Sequence, residues 1–170
     1  MSIEIPRKKT ALGRYFFERS STSVAKDLLG RIIVHERARG GILYAQIHEV
    51  AAWEGTTEKS MTEGALYAPG TLSISTKFGK NLLDIATDEM CKPSCITLIA
   101  GRVYDKTGER VFAQGPGLLC GALDINKSYH GLPIEISSIW IGGERIDPNT
   151  IMKRKKTNSL RNCKGYYYYK

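Results

Sequence analysis

Residues 47–55 read Ile-His-Glu-Val-Ala-Ala-Trp-Glu-Gly. They end a longer run, Ile42 to Trp53, whose composition fits an extended strand. Side chains alternate along a strand, so Glu49, Ala51 and Trp53 share one face. Upstream, Arg31 to Glu36 is rich in β-branched residues and predicts a strand, and Arg37 to Gly41 predicts a turn. The two strands are therefore expected to pair as a hairpin. Before them, Ser20-Ser21-Thr22-Ser23 offers N-cap hydroxyls to a helix through Leu29. Val24, Ala25, Leu28 and Leu29 form its apolar stripe, and Gly30 stops it.

Downstream, Thr56 to Ala68 is a polar loop, and Pro69-Gly70 opens a strand from Thr71 to Phe78. There Leu72, Ile74 and Thr76 face one way and Ser73, Ser75 and Lys77 the other, with Gly79 ending the element. Cys95 to Val103 is strongly apolar, as a central strand would be. Asp105 to Gly108 is a turn. Gly115-Pro116 starts a short helix carrying Leu118, Leu119, Ala122 and Leu123. Ile134 to Ile141 reads as a further strand ending at Gly142-Gly143. Strands outnumber helices and follow one another through turns. The expected fold is α+β: a single domain with a curved antiparallel sheet and flanking short helices. Residues 1–11 are expected as a flexible N-terminus, 12–151 as the domain core, and 152–170 as a basic segment completing the domain.

The chain has 170 residues, 42% hydrophobic and 25% charged, which is ordinary for a globular domain with a real core. No apolar run is long enough for a membrane span, and no secretory signal is seen, so a secreted or membrane location is not expected. The net charge of +8 favours a polyanionic partner, nucleic acid first. From Met152 onward there are seven basic residues and no acidic one, readable as a solvated tail, a phosphate contact or a nuclear address. The four cysteines, Cys91, Cys95, Cys120 and Cys163, contain no CxxC pair, and the three histidines are scattered. Reduced thiols fit better than a zinc site, and no metal is expected.

Several segments carry a resemblance when taken in order. They are Leu12-Gly13 with Phe16-Phe17, Val24-Ala25 with Leu28-Leu29-Gly30, the 47–55 stretch, Pro69-Gly70-Thr71-Leu72, and Phe78-Gly79. Then come Gly115-Pro116 through Ala122-Leu123, Ile125-Asn126-Lys127-Ser128, Arg145-Ile146 and Leu160-Arg161. In this order the chain resembles the alkyladenine (3-methyladenine) DNA glycosylases of the single-domain, non-helix-hairpin-helix type. The resemblance implies an α+β protein that binds double-stranded DNA containing alkylated purines. A tyrosine wedge enters the minor groove, the damaged base rotates into a pocket, and its N-glycosidic bond is hydrolysed. It also implies DNA repair by base excision, with neither metal nor organic cofactor, by a monomer, and the basic clusters fit a location in the nucleus of a eukaryote or otherwise in the cytoplasm or nucleoid.

In the family the strand reads Glu-x-Glu-Ala-Tyr-x-Gly, where the second glutamate activates water and the tyrosine stacks on the flipped base. Aligned without gaps on Gly55, the first glutamate falls at Glu49, the catalytic one at Ala51, and the tyrosine at Trp53. Trp53 can still stack, or be simply a core indole. The second stacking tyrosine falls at Ser75, the pocket histidine near Thr62, the guanine-rejecting asparagine at Ile85, and a water- and phosphate-holding arginine at Ile99. The wedge falls at Phe78, beside Gly79. The resemblance also brings Gly115 and Lys127 near DNA. Arg145 and Arg161 match recurrent arginines, readable as DNA contacts or as surface ion pairs.

A methyl group cannot take a proton from water, and losing a general base commonly costs about 10²–10⁴ in rate. Glu49 points to the same face, but two residues along a strand is about 6.6 Å away. Cationic lesions such as 3-methyladenine and 7-methylguanine leave as neutral bases and need less help. The resemblance with this substitution therefore implies a glycosylase confined to cationic lesions. The alternative is a catalytically silent protein that binds damaged DNA.

Overall fold

The computed structural model describes residues 3–55, 67–88, 93–104, 107–108, 110–155 and 163–170. The predicted hairpin forms from β1 (Ile32–Glu36) and β2 (Ile42–Glu54), in register from Ile32 opposite Gln46 to Glu36 opposite Ile42. β2 is 13 residues long and overruns β1, so its far half needs other partners. Along one edge it pairs with β5 (Ser94–Tyr104), from Tyr44 opposite Tyr104 to Glu54 opposite Ser94, with irregular register around Glu49. Along the other edge β1 covers the first half and β9 (Gly165–Tyr168) covers Glu49 to Ala52.

The sheet extends past β5 through β4 (Lys80–Ala86) to β3 (Leu72–Lys77), and past β1 to β7 (Ile139–Gly142). β6 (Arg110–Gln114) adds to β5, and the short β8 (Met152–Lys153) adds to β9. All these pairings are antiparallel, as expected of hairpin-linked strands. Among the described residues the three α-helices are short: α1 (Arg14–Phe17), α2 (Ser21–Leu28) and α3 (Pro116–Ala122). Ser20 caps α2, its side chain accepting from the Ser23 amide.

The two faces of the sheet differ. Val50, Ala52, Leu72, Ile74, Leu83, Ile85, Ile96 and Leu98 pack with Val24, Ala25 and Leu28 of α2 in the main core. Each fully buried Leu, Ile or Phe there contributes about 1.5–3 kcal/mol. The face carrying Ala51 and Trp53 is thus turned away from α2 and holds its own smaller cluster.

One predicted strand divides. Residues Ile134 to Ile136 form a 3₁₀ turn, and only Ile139 onward is strand. Pro133 precedes the turn, and the Ser137 hydroxyl bonds locally to the carbonyls of Ile134 and Ile139 and to the Ile139 amide. Such local bonds compete with a sheet ladder. The N-terminal residues are laid against the sheet. Ile3, Ile5 and Ala11 pack beside Ile32, Val34 and Trp140, and the Trp140 indole donates to the Pro6 carbonyl. Among the described residues no helix is long and apolar enough to cross a membrane.

Candidate active site

Ala51 is completely buried, in a cluster with Ile99, Cys163 and Tyr166, against which Trp53 packs. The position expected to hold a water-activating carboxylate is therefore closed and apolar. Tyr166 comes from β9, directly opposite Ala51 in the ladder. Ile99, expected beside the missing arginine's water, belongs to the same cluster, so these two losses are packed against each other.

Glu49 does not make up for the loss. One of its oxygens accepts from the Arg154 guanidinium at 2.7 Å and the other from the Tyr166 hydroxyl. Arg154 in turn lies over the Tyr168 ring, 4.5 Å from its centre. Burial, and then the hydrogen bond to Glu49, raise the pKa of the Tyr166 phenol, which stays a proton donor. The buried Glu49 is thus held in a clamp built by the basic C-terminal segment. Its two oxygens are engaged, as a buried carboxylate requires. This is a structural role for the residue that the sequence suggested as a catalytic substitute.

Next to this clamp lies a polar row that the sequence did not disclose. Ala51 pairs with Thr97 on β5, Thr97 with Asp84 on β4, and Asp84 with Ser73 on β3. Residues directly opposite one another project to the same side, so the row shares the face of Ala51 and Trp53. The Trp53 indole N–H donates to Thr97 Oγ1 at 2.9 Å, and Thr97 donates to Asp84. This anchors the indole edge and leaves it half-buried, packed over the Ala51 cluster. Asp84, Thr97 and Ser73 are all buried. The alternation of β4 could have indicated Asp84. Tyr166, Arg154 and Thr97 reach the site through distant pairings, for which no local signal exists.

Ser75 lies on the same face of β3 as Ser73 and is half-buried. Ile85 does not join the site. It pairs with Leu72 on the opposite face, inside the main core, and the neighbouring Asp84 takes the site-facing place. Thr62 and Arg161 lie outside the described residues.

Phe78 and Gly79 form the two-residue turn between β3 and β4, with φ of 50° and 73°. A turn with two left-handed residues matches the twist of a hairpin. A phenylalanine held there is strained, and its side chain is fully exposed. Beside it a recess of about 390 Å³ is lined by residues including Gly79, Lys80, Gly117 and Leu118. Leu118 is itself half exposed.

The remaining candidates divide. Gly115 has φ of 125° and caps α3, but its N–H is donated to the Ile99 carbonyl at 3.1 Å. Lys127 is exposed at the start of a 3₁₀ turn. Arg145 makes an ion pair with Asp27 of α2 at 2.5 Å, which puts it on the helix side of the sheet, away from Trp53. Asp27 also binds Arg19 at 2.8 Å. Burial alone would raise the Asp27 pKa, but hydrogen bonds and charge from Arg19 and Arg145 outweigh it and hold the carboxyl below its usual range. Among the described residues no three His, Cys, Asp or Glu side chains gather as metal ligands.

The family model described as methylpurine-DNA glycosylase matches residues 15–161. A Desulfitobacterium hafniense protein named "Putative 3-methyladenine DNA glycosylase" is 27% identical over 176 residues, covering 85% of each chain. Proteins of the same name from Clostridium novyi and Anaeromyxobacter are 28% and 30% identical. The matches cover 76% and 69% of this chain, and 78% and 64% of theirs.

Proposed function

The chain belongs to the methylpurine-DNA glycosylase family, N-glycosylase hydrolases of DNA base excision repair, and on that premise we propose that it acts, as a monomer, on duplex DNA carrying cationic alkylated purines. The lesion is turned out of the stack, Phe78 fills the gap, Trp53 receives the base, and water cleaves the N-glycosidic bond. The observation that carries the restriction is the apolar burial of Ala51 with Ile99, Cys163 and Tyr166. A neutral lesion such as hypoxanthine needs catalytic help that this position does not offer. A cationic purine departs as a neutral molecule, so its bond is already weakened. The π face of Trp53 attracts such a cation.

Phe78 supports the DNA encounter. A fully exposed ring on a strained turn contributes nothing to packing and is well shaped to enter a base stack. The net charge of +8 supports phosphate contact. The closed surroundings of Ala51 also favour one other reading, a protein that recognises damaged duplex without cutting it.

Single-turnover excision from duplex oligonucleotides separates these readings. Abasic sites are expected at 7-methylguanine, and at hypoxanthine about 100-fold more slowly, the lower end of what losing a direct carboxylate base costs. Equal rates on both lesions sink the restriction to cations. Lesion-selective binding with no abasic sites at either lesion establishes the silent binder instead. Affinity is expected to fall linearly with salt on logarithmic axes.

A further inference from the structure

The row Ala51–Thr97–Asp84–Ser73 crosses four strands and lies beside the stacking indole. It places a buried carboxylate two strands from the position where the family's own has become Ala51. The atom between them is Thr97 Oγ1. It accepts from Trp53 and donates to Asp84. A hydroxyl oxygen has two acceptor positions, so one is left for a water. Thr97 sits directly opposite Ala51, about 4.8 Å across the ladder. Ser73, opposite Asp84, is wholly buried, and its hydroxyl has no hydrogen-bond partner among the described residues. Buried hydroxyls are normally partnered, so an unpartnered one beside a carboxylate suits a place that a water or substrate group completes.

We propose that Thr97 and Asp84 form the water-activating pair of this protein, an indirect relay through a hydroxyl that is weaker than a carboxylate at Ala51 would be and so suffices for cationic purines alone. The proposal rests on the glycosylase reading. With a purine stacked on Trp53, the water bound to Thr97 Oγ1 attacks C1′ of the deoxyribose. The O–C1′ bond forms as the C1′–N bond breaks, and the bonding pair leaves with the purine. The water proton passes to Thr97 Oγ1 while the Thr97 hydroxyl proton passes to Asp84. The products are an abasic sugar, a free base and a protonated Asp84 that returns its proton to solvent. Thr97 meets the water, and Asp84 acts through it as a positioning and proton-accepting residue.

Other titratable groups surround the pair. Cys95 faces the same side one step along β5, and Glu49, Tyr166 and Arg154 lie further along that side in their own network. Cys120 of α3 belongs to the core on the other side of the sheet, where burial pushes its pKa up to about 12.

The test is single-turnover release of 7-methylguanine from duplex DNA by the full chain carrying Asp84→Asn, Thr97→Val or Thr97→Ser. The first two are expected to lower the rate constant about 10-fold, less than a lost general base commonly costs because the cationic purine leaves readily, with lesion-duplex binding retained, and Thr97→Ser to recover most of the loss. The wild-type pH–rate profile is expected to fall on its acidic side, and that limb to vanish in Asp84→Asn. A rate for Asp84→Asn or Thr97→Val indistinguishable from wild type overturns the pair. So does a Thr97→Ser variant as slow as Thr97→Val, because serine carries the same hydroxyl. Wild-type protein that releases no base at all defeats the glycosylase reading itself, a different result from either.

Discussion

Replacing Phe78 by glycine is expected to make the protein more stable and worse at holding damaged DNA. The ring is fully exposed, so its removal uncovers no core. Its backbone sits at φ of 50°, a conformation costing a non-glycine residue about 1–2 kcal/mol. Glycine removes that strain but loses about 0.5–1 kcal/mol to its greater freedom in the unfolded chain. The net gain is about 0.5–1 kcal/mol, or a rise in Tm of about 1–4 °C for a domain of this size. On DNA the same change removes a stacking partner worth about 1–3 kcal/mol. Affinity for a lesion duplex then falls about 5- to 150-fold. Phe78→Ala separates the two effects, because it loses the ring and keeps a Cβ in the strained turn. It should bind as poorly as the glycine variant without the gain in Tm. Thermal unfolding and fluorescence-anisotropy titration with a 7-methylguanine duplex read both quantities. A Phe78→Gly protein that melts below wild type refutes the strain argument, and one that binds damaged duplex equally well refutes the wedge.

Two further outcomes follow from the same geometry. Ala51→Glu, which would restore the family's carboxylate, places a charge among Ile99, Cys163 and Tyr166 and should lower unfolding free energy by about 3–5 kcal/mol in denaturant titration, with no gain in excision. Wild-type-like stability would show that the site has room. Asp27→Asn should lower Tm at neutral pH. Because the folded Asp27 pKa lies below its unperturbed 3.8, that contribution is complete above 3.8 and lost as pH falls through the folded value. The gap between variant and wild type should therefore close on acidification, and a gap independent of pH rejects the ion-pair account.

What could be read from the sequence rests on local pattern. The β1–β2 hairpin, a hydroxyl cap for α2 from the Ser20–Ser23 run, which Ser20 supplies, and the alternation of β3 each depend on residues a few positions apart, and each appears in the fold. The division of Ile134 to Ile141 was hidden because a serine hydroxyl, rather than hydrophobic periodicity, decided it. The candidate site was legible only in part. Ala51 and Trp53 could be placed on one face by counting, but the use made of that face depends on remote partners. Thr97 meets Asp84 across 13 residues of chain, and Tyr166 meets Glu49 across 117. No periodicity links such pairs. Ile85 shows the same difficulty at short range. The family pattern gives it a pocket role, whereas strand alternation turns it inward and presents Asp84.

The late arrival of β9 also matters while the protein is being made. β2 is synthesised early, yet the edge running from Glu49 to Ala52 is not covered until residues 165–168 exist. At roughly 5–20 residues per second, the 117-residue interval between Glu49 and Tyr166 lasts about 6–23 s on the ribosome. For that time the nascent chain presents an unpaired edge, with the Glu49 carboxylate waiting for Tyr166 and Arg154. Open strand edges recruit other chains. Yield in cells should therefore respond to translation speed and chaperone supply while the residues between Glu49 and Tyr166 are being made.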